Sequence, residues 1–312
     1  MPRHATDTSS ENSSRSSSHS SSDTATATAA LATRRSIRLM VLAMTAFTLN
    51  DTLVKVASET MLTGQLIFLR GVLATAFVLV ALRLAGTTLR PRSLVSGWVA
   101  VRAVTDAFAT VVFLVSLFHL PLATASAINM VTPLVIAAMA AWWLGERVSA
   151  WRWTIIGAGF GGVLLIIQPG VEGFNGWAWL CLAGTLLTAT RDIITRRIPP
   201  EVPSIGITLA TSVAVTLLAG GLMLLEGWKP MALREWALLV AAAAFLAAGY
   251  QLIIRATRSG DISAVAPFRY VCLLIAIALG WLIWGHVPNV MGWAGIALVI
   301  GAGLVLLRQG GR

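Results

Sequence analysis

The chain has 312 residues, of which 57% are hydrophobic and 12% are charged, and its mean hydropathy is +0.80. A soluble domain carries about 25% charged residues, so this composition excludes an ordinary water-soluble protein. The formal net charge is +10, but the basic residues lie in short gaps between long apolar runs. That pattern is typical of a protein in contact with the lipid bilayer, and it argues against nucleic acid as a partner.

The first 35 residues differ from the rest, because they are mostly Ser, Thr and Ala. Such a segment cannot bury enough apolar surface to offset its ordering entropy, so we predict a disordered tail over residues 1–35. It lacks the apolar core and the small-residue cleavage site of a secretory signal.

Ten apolar runs follow the tail, and most are close to the roughly 20 residues that cross a ~30 Å hydrocarbon core. They cover residues 37–56, 62–82, 95–118, 121–144, 151–168, 176–195, 204–225, 235–255, 262–284 and 291–307. The sequence therefore predicts an all-α membrane protein with ten transmembrane helices, ending in a short tail over 308–312.

Basic residues test this count, since they concentrate on the cytoplasmic side of membrane proteins. The gaps and tails on the side of the N-terminus hold Arg34, Arg35, Arg38, Arg83, Arg90, Arg92, Arg147, Arg152, Arg191, Arg196, Arg197, Arg255, Arg258, Arg308 and Arg312. The opposite gaps hold Lys55, Lys229 and Arg234. This asymmetry predicts a multi-pass protein with both termini in the cytoplasm.

The two halves of the chain, 36–168 and 176–307, repeat one pattern at an offset of about 140 residues. The matches include Gly145 with Gly285, Trp153 with Trp293, and Gly161 with Gly301. Five spans in each half make the repeats inverted, an architecture typical of carriers that work by alternating access. Pro133 and Pro267 are predicted to break the fourth and ninth spans.

Ionisable residues inside the spans are the candidates for a substrate site, because a charge in the bilayer lines a cavity or has a partner. The candidates are Arg70, Arg269, Asp51, Asp106 and Arg102, with Tyr250 and Gln251 as weaker polar candidates.

Two interpretations of these charges stay open. In the first, Arg70 and Arg269 face a shared cavity and bind an anionic group, since guanidinium donates bidentate hydrogen bonds to carboxylates. Asp51 or Asp106 then balances the charge or carries a proton. In the second, the charges pair only with one another, Arg70 with Asp106 for example, and fix the helix register. Arg102 and Asp106 are four residues apart, so they can pair along one helix face.

The chain resembles the EamA-type branch of the drug/metabolite transporter superfamily across residues 36–307. The resemblance rests on the ten spans, the repeat and the stretches Asn50-Asp51, Phe68-Leu69-Arg70-Gly71, Leu144-Gly145-Glu146 and Ala266-Pro267-Phe268-Arg269-Tyr270. It implies a carrier of small polar metabolites in the cell inner membrane, without a nucleotide-hydrolysing subunit. One departure is His286, which stands where the first half has Glu146.

We therefore expect a secondary transporter that exports a small carboxylate-bearing metabolite, such as an amino-acid derivative or an opine-like chelator. The alternative is an importer of a vitamin or nucleoside-like metabolite, of the riboflavin or S-adenosylmethionine type. A membrane sensor or assembly factor is the hypothesis from another class. The sequence has no catalytic motif, so we expect no enzyme, no cofactor and no metal site. A homodimer, the direction of transport and the coupling ion are left open.

Overall fold

The computed structural model describes residues 9–84, 97–143, 149–168, 176–199, 201–259 and 265–310. Its helices are α1 Ser9–Ser58, α2 Thr63–Leu84, α3 Gly97–His119, α4 Leu122–Asn129, α5 Thr132–Trp143, α6 Ala150–Ile167, α7 Trp177–Thr195, α8 Ser204–Glu226, α9 Leu233–Ser259, α10 Val271–Trp284 and α11 Val290–Gly310. A 3₁₀ segment, Ala266–Tyr270, precedes α10. The stretch Leu144-Gly145-Glu146, which contributes to the resemblance noted in the sequence, lies outside the described residues.

Nine stretches of the described chain are long and apolar enough to cross a membrane. One of them joins α4 to α5, and another joins most of the 3₁₀ segment to α10. The tenth crossing helix is α7, which has 19 residues and is more polar because it contains four threonines, Arg191 and Asp192. The predicted all-α fold with ten crossings is confirmed. Ten crossings put both ends of the chain on one side, which we call the terminal face; the other side is the distal face.

The first helix is longer than the sequence predicts. We expect disorder over residues 1–35, whereas α1 begins at Ser9 and continues without interruption into the first span. A helix that already exists gains one hydrogen bond for each added residue without a new nucleation cost, and alanine is the best helix former. The membrane span therefore acts as a nucleus for the Ala-rich stretch 25–32; residues 9–24 contain ten serines and no alanine, and their composition does not explain the helix there.

The fourth and ninth spans are interrupted where the prolines predict. Helix α4 ends at Asn129, and α5 starts at Thr132 with Pro133 in its first turn, where the missing N–H costs no hydrogen bond. The Thr132 hydroxyl donates to the Asn129 carbonyl at 2.6 Å, which satisfies a group freed by the break. In the ninth span Pro267 lies in the 3₁₀ segment. The two interruptions meet where Cys272 Sγ lies 3.6 Å from Met130 Sδ.

The repeats interlock instead of standing side by side. Helix α1 packs along α9, α3 along α7, α2 against α8 and α6 against α11. Each of these pairs joins one helix of the first half to one of the second. The repeat relates α1 to α7 and α3 to α9, so exchanging the two halves converts the α1–α9 pair into the α7–α3 pair. Two related repeats are expected to pack in this way.

The α6–α11 pair depends on two glycines that bring the backbones together. A Cβ atom on Gly162 would lie 2.8 Å from the backbone oxygen of Gly295, and one on Gly295 would lie 2.5 Å from that of Gly162. Small residues permit this approach in lipid, where apolar burial gives little driving force between helices.

Replacing Gly162 with alanine is expected to destabilise the protein by about 1–3 kcal/mol, because the added methyl group must force α6 and α11 apart. Gly161→Ala is the matched control, since a Cβ there has no neighbour within 4 Å. Removing a helical glycine at that position is expected to raise stability by about 0.5–1 kcal/mol. Thermal unfolding of the purified variants in detergent measures the difference. Equal effects at the two positions would contradict the close packing.

Candidate functional site

An asparagine separates two opposite charges in the distal half of the first two spans. The side-chain amide of Asn50 donates to the Asp51 carboxylate at 2.8 Å, and its oxygen accepts from Arg70 Nε at 3.4 Å. Asn50 is 1% exposed and Arg70 9%. Among the described residues no carboxylate lies within ion-pair distance of Arg70. Asp51 and Arg70 still attract each other electrostatically. The arrangement keeps a buried cation and a half-buried anion close to each other, with no ion pair between them in the part of the chain that the structure describes.

The local sequence explains how these groups come together. Helices α1 and α2 are joined by four residues, so they are antiparallel neighbours. Asp51 lies seven residues before the end of α1, and Arg70 lies seven residues after the start of α2. At ~1.5 Å per residue both therefore lie about 10 Å below the distal ends of their helices.

A second cluster of charges lies toward the terminal face and joins α3 to α7. One Asp106 oxygen accepts from Arg191 Nη1 at 2.8 Å, and the other lies 3.5 Å from Arg102 Nη1. Arg191 also pairs with Asp192 at 2.7 Å. Arg102 donates further to the hydroxyls of Thr195 and Thr211, at 2.8 and 2.7 Å. The arginines of this cluster thus have partners within the protein.

Tyr250 of α9 lies between the two clusters. Its ring meets Phe47 of α1 edge-on, with 5.3 Å between the ring centroids. It interacts electrostatically with Arg70, Asp106 and Arg191. Nevertheless 47% of its surface is exposed. Tyr250 thus lies near ionic groups of three other helices while half of its surface is exposed. We call the group formed by Asp51, Arg70, Tyr250 and the Asp106 cluster the central crevice.

Two of the expected site residues lie elsewhere. Arg269 is exposed on the 3₁₀ segment and interacts electrostatically with Tyr270 and Cys272. Within the described residues no contact joins it to Arg70, so a cavity shared by the two arginines stays a prediction. Gln251 is exposed and follows Tyr250 directly in α9. Successive side chains on a helix point about 100° apart, so Gln251 and Tyr250 do not face the same side.

Comparison with known proteins identifies the family. The model of the EamA-like transporter family matches residues 34–168 and 175–308, once in each half. The chain belongs to the EamA-like transporter family. The resemblance noted in the sequence and the two-repeat architecture are both confirmed, and the protein is a multi-pass membrane transporter.

Several characterised transporters are similar to this EamA-like transporter. The pseudopaline exporter CntI of Pseudomonas aeruginosa is 27% identical over 276 residues, which cover 88% of this chain and 96% of the relative. A riboflavin transporter of Rhizobium johnstonii is 30% identical over 208 residues, 67% of this chain and 69% of that one. An S-adenosylmethionine uptake transporter of Rickettsia bellii is 26% identical over 187 residues, 60% and 64% of the two chains.

The fold is also shared with a protein of known crystal structure. The TM-score is 0.59 at 17% identity, and the likeness covers 88% of this chain and 99% of the other. At this identity the comparison concerns the fold alone.

Sequence reasoning about this EamA-like transporter missed the role of Arg191. We expect Arg191 in a gap on the terminal face, but it lies within α7, and its guanidinium binds Asp106 of α3. The alternative pairing of Arg70 with Asp106 is not formed, since Asp106 bonds Arg102 and Arg191. The predicted pairing of Arg102 with Asp106 is present. The polar composition of α7 was the signal that this helix faces other helices instead of lipid.

When Arg191 and Asp192 are counted together with the expected residues, the charge balance of the site changes. The sequence suggests more arginine than aspartate in the membrane, whereas the central crevice and its cluster have three of each. These residues are Arg70, Arg102, Arg191, Asp51, Asp106 and Asp192. The site of this EamA-like transporter is therefore amphoteric.

Proposed function

We propose that this EamA-like transporter exports a small zwitterionic metabolite with at least one carboxylate, an amino-acid derivative or opine-like chelator, by alternating access. The observation that carries the proposal is Arg70, which has no carboxylate within ion-pair distance among the described residues and which Asn50 separates from Asp51. A buried charge without a partner is costly, so it is retained where a ligand supplies the partner.

Arg70 and Asp51 together recognise both ends of a zwitterion. The guanidinium of Arg70 uses only its Nε in a described hydrogen bond, at the long distance of 3.4 Å. Its remaining donors suit a carboxylate, which guanidinium binds in a bidentate fashion. The Asp51 carboxylate has one described hydrogen bond, from Asn50, and suits an ammonium group. Arg102 and Arg191 are already bonded to Asp106, so they are less available to a substrate.

Tyr250 completes the proposed site by offering an apolar ring and a hydroxyl on the open side of the crevice. The interlocked repeats and the interrupted fourth and ninth spans provide elements that can shift against one another. The bias of arginine toward the terminal face supports cytoplasmic termini and a location in the inner membrane. In that orientation the substrate enters the crevice from the terminal face and leaves at the distal face.

Export is favoured over import because the pseudopaline exporter is similar over nearly its whole length. The riboflavin transporter matches a shorter part of this chain but at slightly higher identity, so an importer of the riboflavin or S-adenosylmethionine type is the second candidate.

Comparative metabolomics of cells and spent medium tests the direction and the substrate class. In a deletion strain we expect a carboxylate-bearing metabolite to accumulate inside the cells and to disappear from the medium, and the intact gene to reverse both changes. A nutrient left undepleted in the medium would instead indicate an importer. If neither pool changes while the protein is made, a sensor or assembly factor becomes the better hypothesis.

A further inference from the structure

A separate cavity opens near the distal face, beyond the central crevice. Its volume is about 310 Å³, and its lining includes Lys55, Glu59, His119, Trp284 and His286. Small-molecule sites in proteins start at about 300 Å³. The cavity lies at the distal ends of α1, α3 and α10, so helices of both repeats form its walls.

Helix α1 connects this cavity to the central crevice. Asp51, Lys55 and Glu59 are spaced four residues apart, Glu59 directly following the end of the helix. Residues at this spacing lie on one face of a helix. The face therefore presents a negative, a positive and a negative group in succession from the crevice toward the distal side.

Lys55 is the charged group of the cavity that is best buried, at 6% exposure. Its ammonium donates to the carbonyls of Leu117 and Phe118 at 2.8 and 3.3 Å, and lies 5.5 Å from the centroid of the Trp284 ring. An ammonium has three donors, so these two bonds leave one. Among the described residues no carboxylate lies within ion-pair distance of Lys55.

Glu59 supplies the opposite charge on the same cavity. Its carboxylate accepts from Trp284 Nε1 at 2.6 Å, which fixes its position against α10. Glu59 and Lys55 attract each other electrostatically without forming an ion pair. Like Asp51 and Arg70 in the crevice, Glu59 and Lys55 are opposite charges that lie near each other but outside ion-pair distance.

We propose that this cavity is a second binding station, which holds a zwitterionic carboxylate on its way between the central crevice and the distal face. Lys55 binds the carboxylate and Glu59 the ammonium group, and Trp284 covers one side. The inference rests on the proposed function, because it assigns the same class of solute to both sites.

The test uses Trp284 as a reporter inside the cavity. The full-length protein is labelled with 5-fluorotryptophan in lipid nanodiscs, and the fluorine resonance of Trp284 is assigned by its loss in Trp284→Phe, since the chain has 12 tryptophans. The probes are iminodiacetate, a zwitterionic dicarboxylate, and glutarate, which replaces its amino group with a methylene.

We expect iminodiacetate to shift the Trp284 resonance saturably in the wild type and in Arg70→Gln, in which the crevice site is lost. Lys55→Gln is expected to weaken the response about tenfold or more, because it removes a charged hydrogen bond. Lys229→Gln is the matched control, since Lys229 is a distal basic residue outside this cavity whose ammonium donates to the Thr60 carbonyl. If the response disappears in Arg70→Gln and persists in Lys55→Gln, the second station is overturned.

Glu59→Gln gives an independent test if Lys55→Gln does not fold. Glu59 is exposed, so its replacement is expected to be tolerated. The response to iminodiacetate is expected to weaken about tenfold, while that to glutarate is retained, because only iminodiacetate carries the ammonium group. Equal effects on the two probes would contradict the assignment of Glu59.

Proteoliposome uptake of radiolabelled iminodiacetate separates this inference from the proposed function. Uptake that depends on Arg70 without any saturable Trp284 response overturns the second station alone. A saturable Trp284 response that depends on Lys55, without Arg70-dependent uptake, overturns the proposed crevice site and leaves the cavity as a binding site.

Discussion

Arg70→Gln is expected to abolish transport of the carboxylate-bearing solute while the protein remains folded. Two charged hydrogen bonds of about 1.5 kcal/mol each correspond to a loss of roughly a hundredfold in affinity. Arg70→Lys is expected to retain part of the activity, because lysine keeps the charge but loses the planar fork. Counterflow or efflux from proteoliposomes measures both variants.

The unfolding temperature of Arg70→Gln distinguishes a binding role from a structural one. Among the described residues no carboxylate lies within ion-pair distance of Arg70, and Asp51 attracts it only from farther away, so its replacement is expected to change the unfolding temperature little. Arg83→Gln, on the exposed terminal end of the same helix, is the matched control for transport. If Arg70→Gln transports like Arg83→Gln, the proposed site is wrong; if it unfolds, Arg70 is structural.

Asp106→Asn is expected to produce the largest loss of stability. Asp106 is the shared partner of Arg102 and Arg191, and it is 7% exposed. Breaking a buried ion pair by removing one partner costs about 3–5 kcal/mol, because the other charge stays buried. Reversible unfolding in mixed detergent micelles measures this loss.

Asp192→Asn is the control for Asp106→Asn within the same cluster. The Asp192 side chain is 37% exposed, and exposed pairs contribute about 0–1 kcal/mol. Adding Arg191→Gln to Asp106→Asn is expected to restore part of the lost stability, since it removes one of the two stranded cations. Equal losses for Asp106→Asn and Asp192→Asn would show that the cluster does not hold α3 to α7.

The order of the helices was predictable because crossing a bilayer requires long apolar runs, which are a local property of the sequence. The Arg102–Asp106 pair was predictable for the same reason, since both residues lie one turn apart on α3. Helix α7 was recognised as a span, but its charged end was assigned to a gap, because polar groups that face other helices lower the hydropathy in the same way as a loop.

The bond between Asp106 and Arg191 was not predictable, because it joins residues 85 positions apart through the packing of α3 on α7. The role of Asn50 depends likewise on the depth at which α1 and α2 face each other. An amide that separates two charges has no signature in the sequence, since the same residue would serve equally well as a helix-to-helix hydrogen bond.

The interlocked packing of the repeats also affects how the protein is made. During synthesis α1, α2, α3 and α6 enter the membrane before the helices against which each of them packs, α9, α8, α7 and α11. Until then Arg102 and Asp106 lie in the bilayer without their partners from the second half, and Asp106 meets Arg191 only after α7 is inserted. Synthesis of both halves as one chain consequently brings the packing partners together sooner than synthesis of two separate halves would.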